Sequence, residues 1–314
     1  MSGSSEHTPR SPAAAQIDGG FDLAGFLRTR VRVIAGSIGE RNLLKYGALK
    51  RARDFIEKEL RAAGLAPERQ SFHVGPLKVD NIETAIHGAR LPEKILVVGA
   101  HYDTVFGCPG ANDNGTGVVA TLALAKVLAG LSPACTVRLV FFVNEEPPFF
   151  HGEMMGSVVY ARRCRERREK IIGMISLETL GYYSDEPGSQ EFPDDELAAK
   201  YPDQGNFVCF AGDAHSGPFV RKVHQAFVRH SDFPAEPLIA SENEVPAVGY
   251  SDHWGFQQVG YPALMATDTA MFRYPHYHQK TDTPDKVDYD DLAIVVRGIA
   301  AAVQELAGAS EPIS

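Results

Sequence analysis

Apolar residues in this chain gather into short runs that stop abruptly at charge. Lys94-Ile95-Leu96-Val97-Val98-Gly99-Ala100 stops at His101-Tyr102-Asp103-Thr104, Thr136 to Val143 stops at Asn144-Glu145-Glu146, and Ile171 to Leu177 stops at Glu178. Such runs suit strands buried on both faces. Further strands are expected at residues 70–74, 81–87, 206–211 and 263–266. Helical periodicity predicts helices over residues 21–32, 42–64, 114–130, 154–167, 215–230 and 289–306, with another helix starting at Ser251. Alternating strands and helices imply a parallel-rich sheet covered on both faces, an α/β fold. The polar, Pro- and Gly-rich stretch 184–206 is too long for an ordinary connection and follows Glu178 directly, which makes it a candidate wall of a substrate cleft. Residues 1–18, rich in Ser, Ala, Pro and Gly, read as a disordered tail.

Ligands at the carboxyl ends of strands face the crevice where open α/β sheets bind their substrates. A glycine-rich turn, Gly110-Ala111-Asn112-Asp113-Asn114-Gly115-Thr116-Gly117, can bring Asp113 to the same crevice as His101. A late segment, Tyr274-Pro275-His276-Tyr277-His278, supplies a second imidazole. The adjacent Glu145 and Glu146 point in different directions from one strand end, which suits one as a metal ligand and the other as a base. A strand-terminal Asp or Glu taken alone is more often a helix cap or a solvated loop charge. Together they would waste buried strand ends unless a cation sat there. An N/O donor set without thiolates suits zinc, with manganese or cobalt as substitutes.

The motifs His101-Tyr102-Asp103-Thr104, Gly110 to Gly117, Asn144-Glu145-Glu146, and His278 four residues before Asp282-Thr283 resemble, in order, those of the M28 zinc aminopeptidases, the co-catalytic metallopeptidases of clan MH. The resemblance covers roughly residues 40–305. It implies a three-layer αβα sandwich around a central mixed, mostly parallel sheet of about eight strands, with residues 19–310 as one catalytic domain. It also implies two Zn²⁺ ions. Asp113 would bridge them, His101 and Glu178 would complete one position, and Glu146 and His278 the other. Glu145 would be the general base for a metal-bridging water, Asp103 would orient His101, and Tyr277 would donate to the oxyanion. A cis peptide would follow the bridging aspartate, at Asp113-Asn114. One departure is Glu178, where the family usually has Asp: its arm is one methylene longer.

The activity so implied is removal of an N-terminal residue from a peptide or small aminoacyl substrate. A glutaminyl cyclase, which shares the fold and binds one zinc, is the enzymatic alternative; a catalytically silent binding domain is the other. No ligand position carries an apolar residue, which disfavours silence. Asp252-His253 reads as structural, and Phe149, Phe150, Met154 and Met155, which follow the glutamate pair, read as apolar pocket walls or as core, with core the favoured reading.

Composition narrows the partners. With 314 residues, 44% hydrophobic and 23% charged, the chain can bury a sizeable core. A net charge of −9 argues against nucleic acid and anionic membrane surfaces. Cys108, Cys135, Cys164 and Cys209 lack any C-x-x-C spacing and read as free thiols, and no signal-like or transmembrane run is visible, so a cytoplasmic location is expected.

Overall fold

The computed structural model describes residues 20–308; the tail expected over residues 1–18 lies outside them. Among the described residues, eight strands share one sheet: β1 (Glu68–Val74), β2 (Leu77–Ile86), β3 (Leu91–His101), β4 (Cys135–Phe142), β5 (Lys170–Glu178), β6 (Val208–Gly212), β7 (Ala235–Ile239) and β8 (Ala263–Thr267). Their spatial order is β1-β2-β4-β3-β5-β8-β6-β7. The central strands β4, β3, β5 and β8 run parallel to one another, as do β6 and β7, while β1-β2, β2-β4 and β6-β8 are antiparallel. The sheet is therefore mixed and mostly parallel, as the resemblance implied.

Period-two alternation within the apolar runs feeds two separate cores. Leu96, Val98 and Ala100 of β3 enter one hydrophobic cluster, while Ile95 and Val97 enter another. The first cluster is completed by α1 (Leu23–Val31), α2 (Tyr46–Ala62), α3 (Gly117–Leu128), α6 (Gly217–His230) and α8 (Tyr289–Leu306). The second is completed by α4 (Gly156–Glu166) and α7 (His253–Gln257). This division is the three-layer sandwich. α8 covers the span its periodicity predicts, because its start is capped: the Asp288 side chain accepts from the N–H groups of Asp290 and Asp291.

Two elements escape the pattern. β7 is a five-residue edge strand containing Pro237, and all of its side chains are half-buried, so it shows neither alternation nor a continuous apolar run. A short helix, α5 (Asp195–Lys200), lies within the 184–206 stretch and is capped by Asp194, whose side chain accepts from Leu197 N–H at 2.8 Å. All four cysteines are free and buried. Among the described residues, no helix is long and apolar enough to cross a membrane.

Candidate metal centre

The parallel strands β3 and β5 end side by side, with β4 against the far side of β3, so His101, Glu178 and the Glu145-Glu146 pair emerge at one edge of the sheet. Asp113 comes from the turn before α3, and His278 from the loop after β8. The Asp113-Asn114 peptide is cis, as the resemblance implied. Asp113 offers one oxygen to each imidazole: Oδ1 lies 3.4 Å from His101 Nε2 and Oδ2 lies 3.1 Å from His278 Nε2. Glu178 Oε2 is 3.2 Å from His101 Nε2, and Glu146 Oε2 is 3.3 Å from His278 Nε2. Three donor groups result: His101/Asp113/Glu178 and Asp113/Glu146/His278, two triads with Asp113 common to both, and His101/Glu145/Glu146. Glu145 stands slightly apart, its Oε2 3.8 Å from His101 Nε2.

Backbone hydrogen bonds explain why these side chains converge. Asp103 accepts from the N–H groups of Glu145 at 3.1 Å and Glu146 at 3.2 Å, one on each oxygen. It therefore fixes the turn that aims both glutamates. Its Oδ1 is 3.6 Å from His101 Nδ1, too long for a hydrogen bond, so the orientation expected for His101 is not made through one. Asp282 plays the matching part for Asp113. It accepts from Asn112 N–H at 2.8 Å and Asp113 N–H at 3.1 Å, and Tyr274 OH donates to it at 2.7 Å. Asn114 Nδ2 donates to Leu177 O at 2.8 Å, tying the turn to the end of β5.

The longer Glu178 arm is held by a partner that sequence patterns did not reveal. Ser251 Oγ donates to Glu178 Oε2 at 2.7 Å and is itself 2.9 Å from Ser176 Oγ. Ser251 belongs to the Ser251-Asp252-His253 motif, whose neighbouring residues stay structural. His253 is fully buried, is 2.7 Å from Val248 O through Nε2, and does not line the site cavity. Asp252 is fully buried and burial pushes its carboxyl up to about 8.

Two features test whether these residues fit a divalent cation. Glu146 Oε1 and His101 Nδ1 are buried with no hydrogen-bond partner, and an acidic oxygen left so in a protein interior is costly unless a cation satisfies it. The charge balance points the same way. Asp113, Glu145, Glu146 and Glu178 are all buried, and no Lys or Arg is among the residues lining their cavity. Burial, reinforced by Asp113, pushes Glu146 up to about 7. Burial opposes a charged His278, but Asp113 and Glu146 outweigh it and raise the imidazole to about 10. Burial likewise opposes the charge on Asp113, yet hydrogen bonds from His101 and His278 hold it below the usual carboxylate range. The donor set is the imidazole-and-carboxylate kind that zinc accepts.

The cavity over this site measures about 310 Å³ and is lined by the six residues above together with Pro147, Phe150, Tyr250, Met271 and Tyr277. Phe150, expected in the core, lines the cavity instead, packed edge-on against Tyr250 at 5.5 Å between ring centroids. Met155 is core as expected. The Tyr277 ring stacks on His278 at 3.9 Å. Cys108 is buried and does not line the cavity, and burial pushes its thiol up to about 12.

A second, narrow recess of about 80 Å³ shares Glu178, Tyr250, Met271 and Tyr277 with the first. Its walls include Phe192, Leu197, Phe207, Cys209, Val248 and Met265, and Glu191 and Glu236 also line it. The 184–206 stretch forms one side. It is fastened by Arg273, whose guanidinium donates to Gln190 Oε1 at 2.8 and 2.9 Å and to Phe207 O at 2.8 Å, and by a Glu191 N–H to Phe272 O bond of 2.7 Å.

Removing Glu178 separates the two triads. If the triads hold one zinc each, Glu178→Ala is expected to empty the His101/Asp113/Glu178 position and leave the Asp113/Glu146/His278 position loaded, while Ser251→Ala weakens the affected position about tenfold, as loss of a group orienting a ligand does. Elemental analysis after dialysis reads the difference, and unchanged content in Glu178→Ala strikes it from the ligand set.

Comparison with known proteins fits this geometry. The profile of peptidase family M28 matches residues 81–303. YfbL of Escherichia coli K12, an uncharacterized protein, is 34% identical over 283 residues, spanning 87% of this chain and 85% of YfbL. Among solved structures, a zinc aminopeptidase from Bacillus subtilis superposes with a TM-score of 0.72 at 15% identity, covering 90% of this chain and 95% of that one. A glutaminyl cyclase from Fimbriiglobus ruber superposes with a TM-score of 0.63 at 20% identity, covering 90% and 96%.

Proposed function

Because the chain belongs to peptidase family M28, we propose that residues 19–310 form a zinc-dependent aminopeptidase domain that removes an apolar N-terminal residue from peptides. The observation that carries this reading is the lining of the site cavity: four carboxylates, two imidazoles and no Lys or Arg. Two zinc ions would offset the four carboxylates, and with no Lys or Arg on its wall the cavity lacks the side-chain cation with which a carboxypeptidase holds a C-terminal carboxylate. The ammonium of a free N-terminus would meet Glu145 or Glu178 beside the metals.

His101, Asp113 and Glu178 would hold one zinc, and Asp113, Glu146 and His278 the other. Bound zinc supplies Lewis acidity, polarising a carbonyl and easing the ionisation of water. Glu145 takes the proton of the attacking water and passes it to the leaving amine. Asp103 holds Glu145 in place through the backbone. The Tyr277 hydroxyl donates to the developing oxyanion from the cavity wall. The narrow recess takes the side chain of the departing residue.

A glutaminyl cyclase reading has the structural likeness to the Fimbriiglobus ruber enzyme behind it. Asp113, with a complete set of partners on both sides, favours the peptidase.

The test is a panel of Leu, Met, Phe, Arg, Asp and Gly amides, free and N-acetylated, with and without zinc, together with an N-terminal glutaminyl peptide. Burying an uncompensated polar side chain costs roughly 2 to 7 kcal/mol, so Leu or Met should exceed Asp by at least about 100-fold in kcat/KM, and acetylation should abolish turnover. Cleavage of acetylated substrates, or cyclisation of the glutaminyl peptide without amide hydrolysis, overturns the proposal.

A further inference from the structure

Arg41 is fully buried behind the site and makes no ion pair with any described carboxylate. Its guanidinium is spent on main-chain carbonyls instead. Nε donates to Tyr102 O at 2.7 Å, Nη1 to Pro109 O at 2.6 Å and Gly39 O at 3.3 Å, and Nη2 to Gly110 O at 2.9 Å. Its own backbone pairs with Thr104 in both directions: Arg41 N–H donates to Thr104 Oγ1 at 3.1 Å, and Thr104 N–H donates to Arg41 O at 3.0 Å.

These acceptors are not scattered. Tyr102 follows His101 at the end of β3, and Pro109-Gly110 opens the turn that presents Asp113. The planar fork therefore spans the two segments that carry the first triad's imidazole and the shared carboxylate. The fit is close, since Gly110 is left-handed at φ 66° and a Cβ there would fall 2.3 Å from Thr104 Cγ2, 2.4 Å from Asp113 O and 3.2 Å from Arg41 Nη1. A lysine cannot reproduce a fork that reaches four carbonyls in fixed directions.

Charge gives a second reason for an arginine here. A buried cation is costly unless its surroundings compensate it. Asp282, Asp103, Asp113 and Glu146 do so through space, and although burial lowers the guanidinium to about 10, it stays charged at neutral pH.

We propose that Arg41 is a positioning residue for the metal centre, setting the spacing of His101 and Asp113 through their backbones and placing a fixed positive charge behind the ligand carboxylates. The inference rests on reading this site as a metal centre, and it goes beyond the choice of substrate. A buried arginine that merely tied loops together would contribute stability and leave zinc affinity alone.

The experiment measures zinc dissociation constants by competition with a chromophoric chelator for the parent, Arg41→Met and Arg41→Lys, after circular dichroism has shown each to be folded. Loss of groups that orient metal ligands typically weakens binding about 10- to 100-fold, and that is the loss expected for Arg41→Met, with Arg41→Lys recovering part of it through the carbonyls its ammonium still reaches. Affinity within about twofold of the parent in folded Arg41→Met overturns the proposal, even if its melting temperature falls. Should the Met variant not fold, the Lys variant decides alone: weaker zinc binding supports the role, and parental affinity removes it. The readout is independent of hydrolysis. A parent that binds zinc tightly yet cleaves no aminoacyl amide sinks the peptidase reading and leaves this one standing.

Discussion

Glu145→Gln is expected to keep its zinc, bind substrate and lose turnover. Glu145 is buried, lines the site cavity, and is 3.8 Å from His101 Nε2, farther than the 3.2 to 3.4 Å at which Asp113 and Glu178 approach the same nitrogen. It therefore faces the reacting space more than the donor cluster. Glutamine matches glutamate in size and leaves the backbone N–H bond to Asp103 intact, so only the basic oxygen is removed. General acid–base catalysis contributes about 10² to 10⁴-fold, and kcat should fall by that order with KM little changed. Glu146→Gln should behave oppositely: its carboxylate is 3.3 Å from His278 Nε2 and carries an unpartnered buried oxygen, so zinc affinity drops first and activity partly returns at high zinc. Loss of zinc from the Glu145 variant, with the Glu146 variant fully loaded and inactive, would reverse the two roles.

Asp113→Ala should release both ions at once. Its two oxygens divide between His101 and His278, and no other residue belongs to both triads. Truncation leaves two facing imidazoles with one carboxylate each, an incomplete donor set for either position. Elemental analysis is expected to find no zinc after dialysis, with activity down by at least about 10³-fold, the scale on which preorganised electrostatic stabilisation is lost. The N–H groups of residues 112 and 113 still reach Asp282, so the fold should persist. Retention of one ion would show that Asp113 is not the shared ligand.

The contrast between these variants and the ones at Ser251 and Arg41 shows where sequence reading runs out. His101, Asp113, Glu145, Glu146, Glu178 and His278 were legible because each stands where an apolar run or a glycine-rich turn ends, and a charge at a buried strand end calls for explanation. Ser251, Asp282 and Arg41 carry no such mark. Their partners are 73, 169 and 69 residues away in the chain at the Glu178, Asp113 and Gly110 contacts, and a serine or arginine in a loop is unremarkable until its neighbours are known. Phe150 was misjudged for the same reason: an aromatic after a catalytic pair fits core or cavity equally well, and only packing against Tyr250 decides between them.

What the sequence determined by itself is the layered architecture and the strand ends that carry the candidate ligands, because burial on two faces and helix periodicity are written locally, at spacings of 2 and 3.6 residues. α8 is the plainest case, with cap, stripe and end in one segment. The tertiary structure alone decided the rest. Sheet order brought β3 and β5 together, the cis turn shared Asp113 between two imidazoles, and the Arg273 clamp closed the apolar recess. Those are contacts between residues far apart in the chain, whose directions and distances no local pattern encodes.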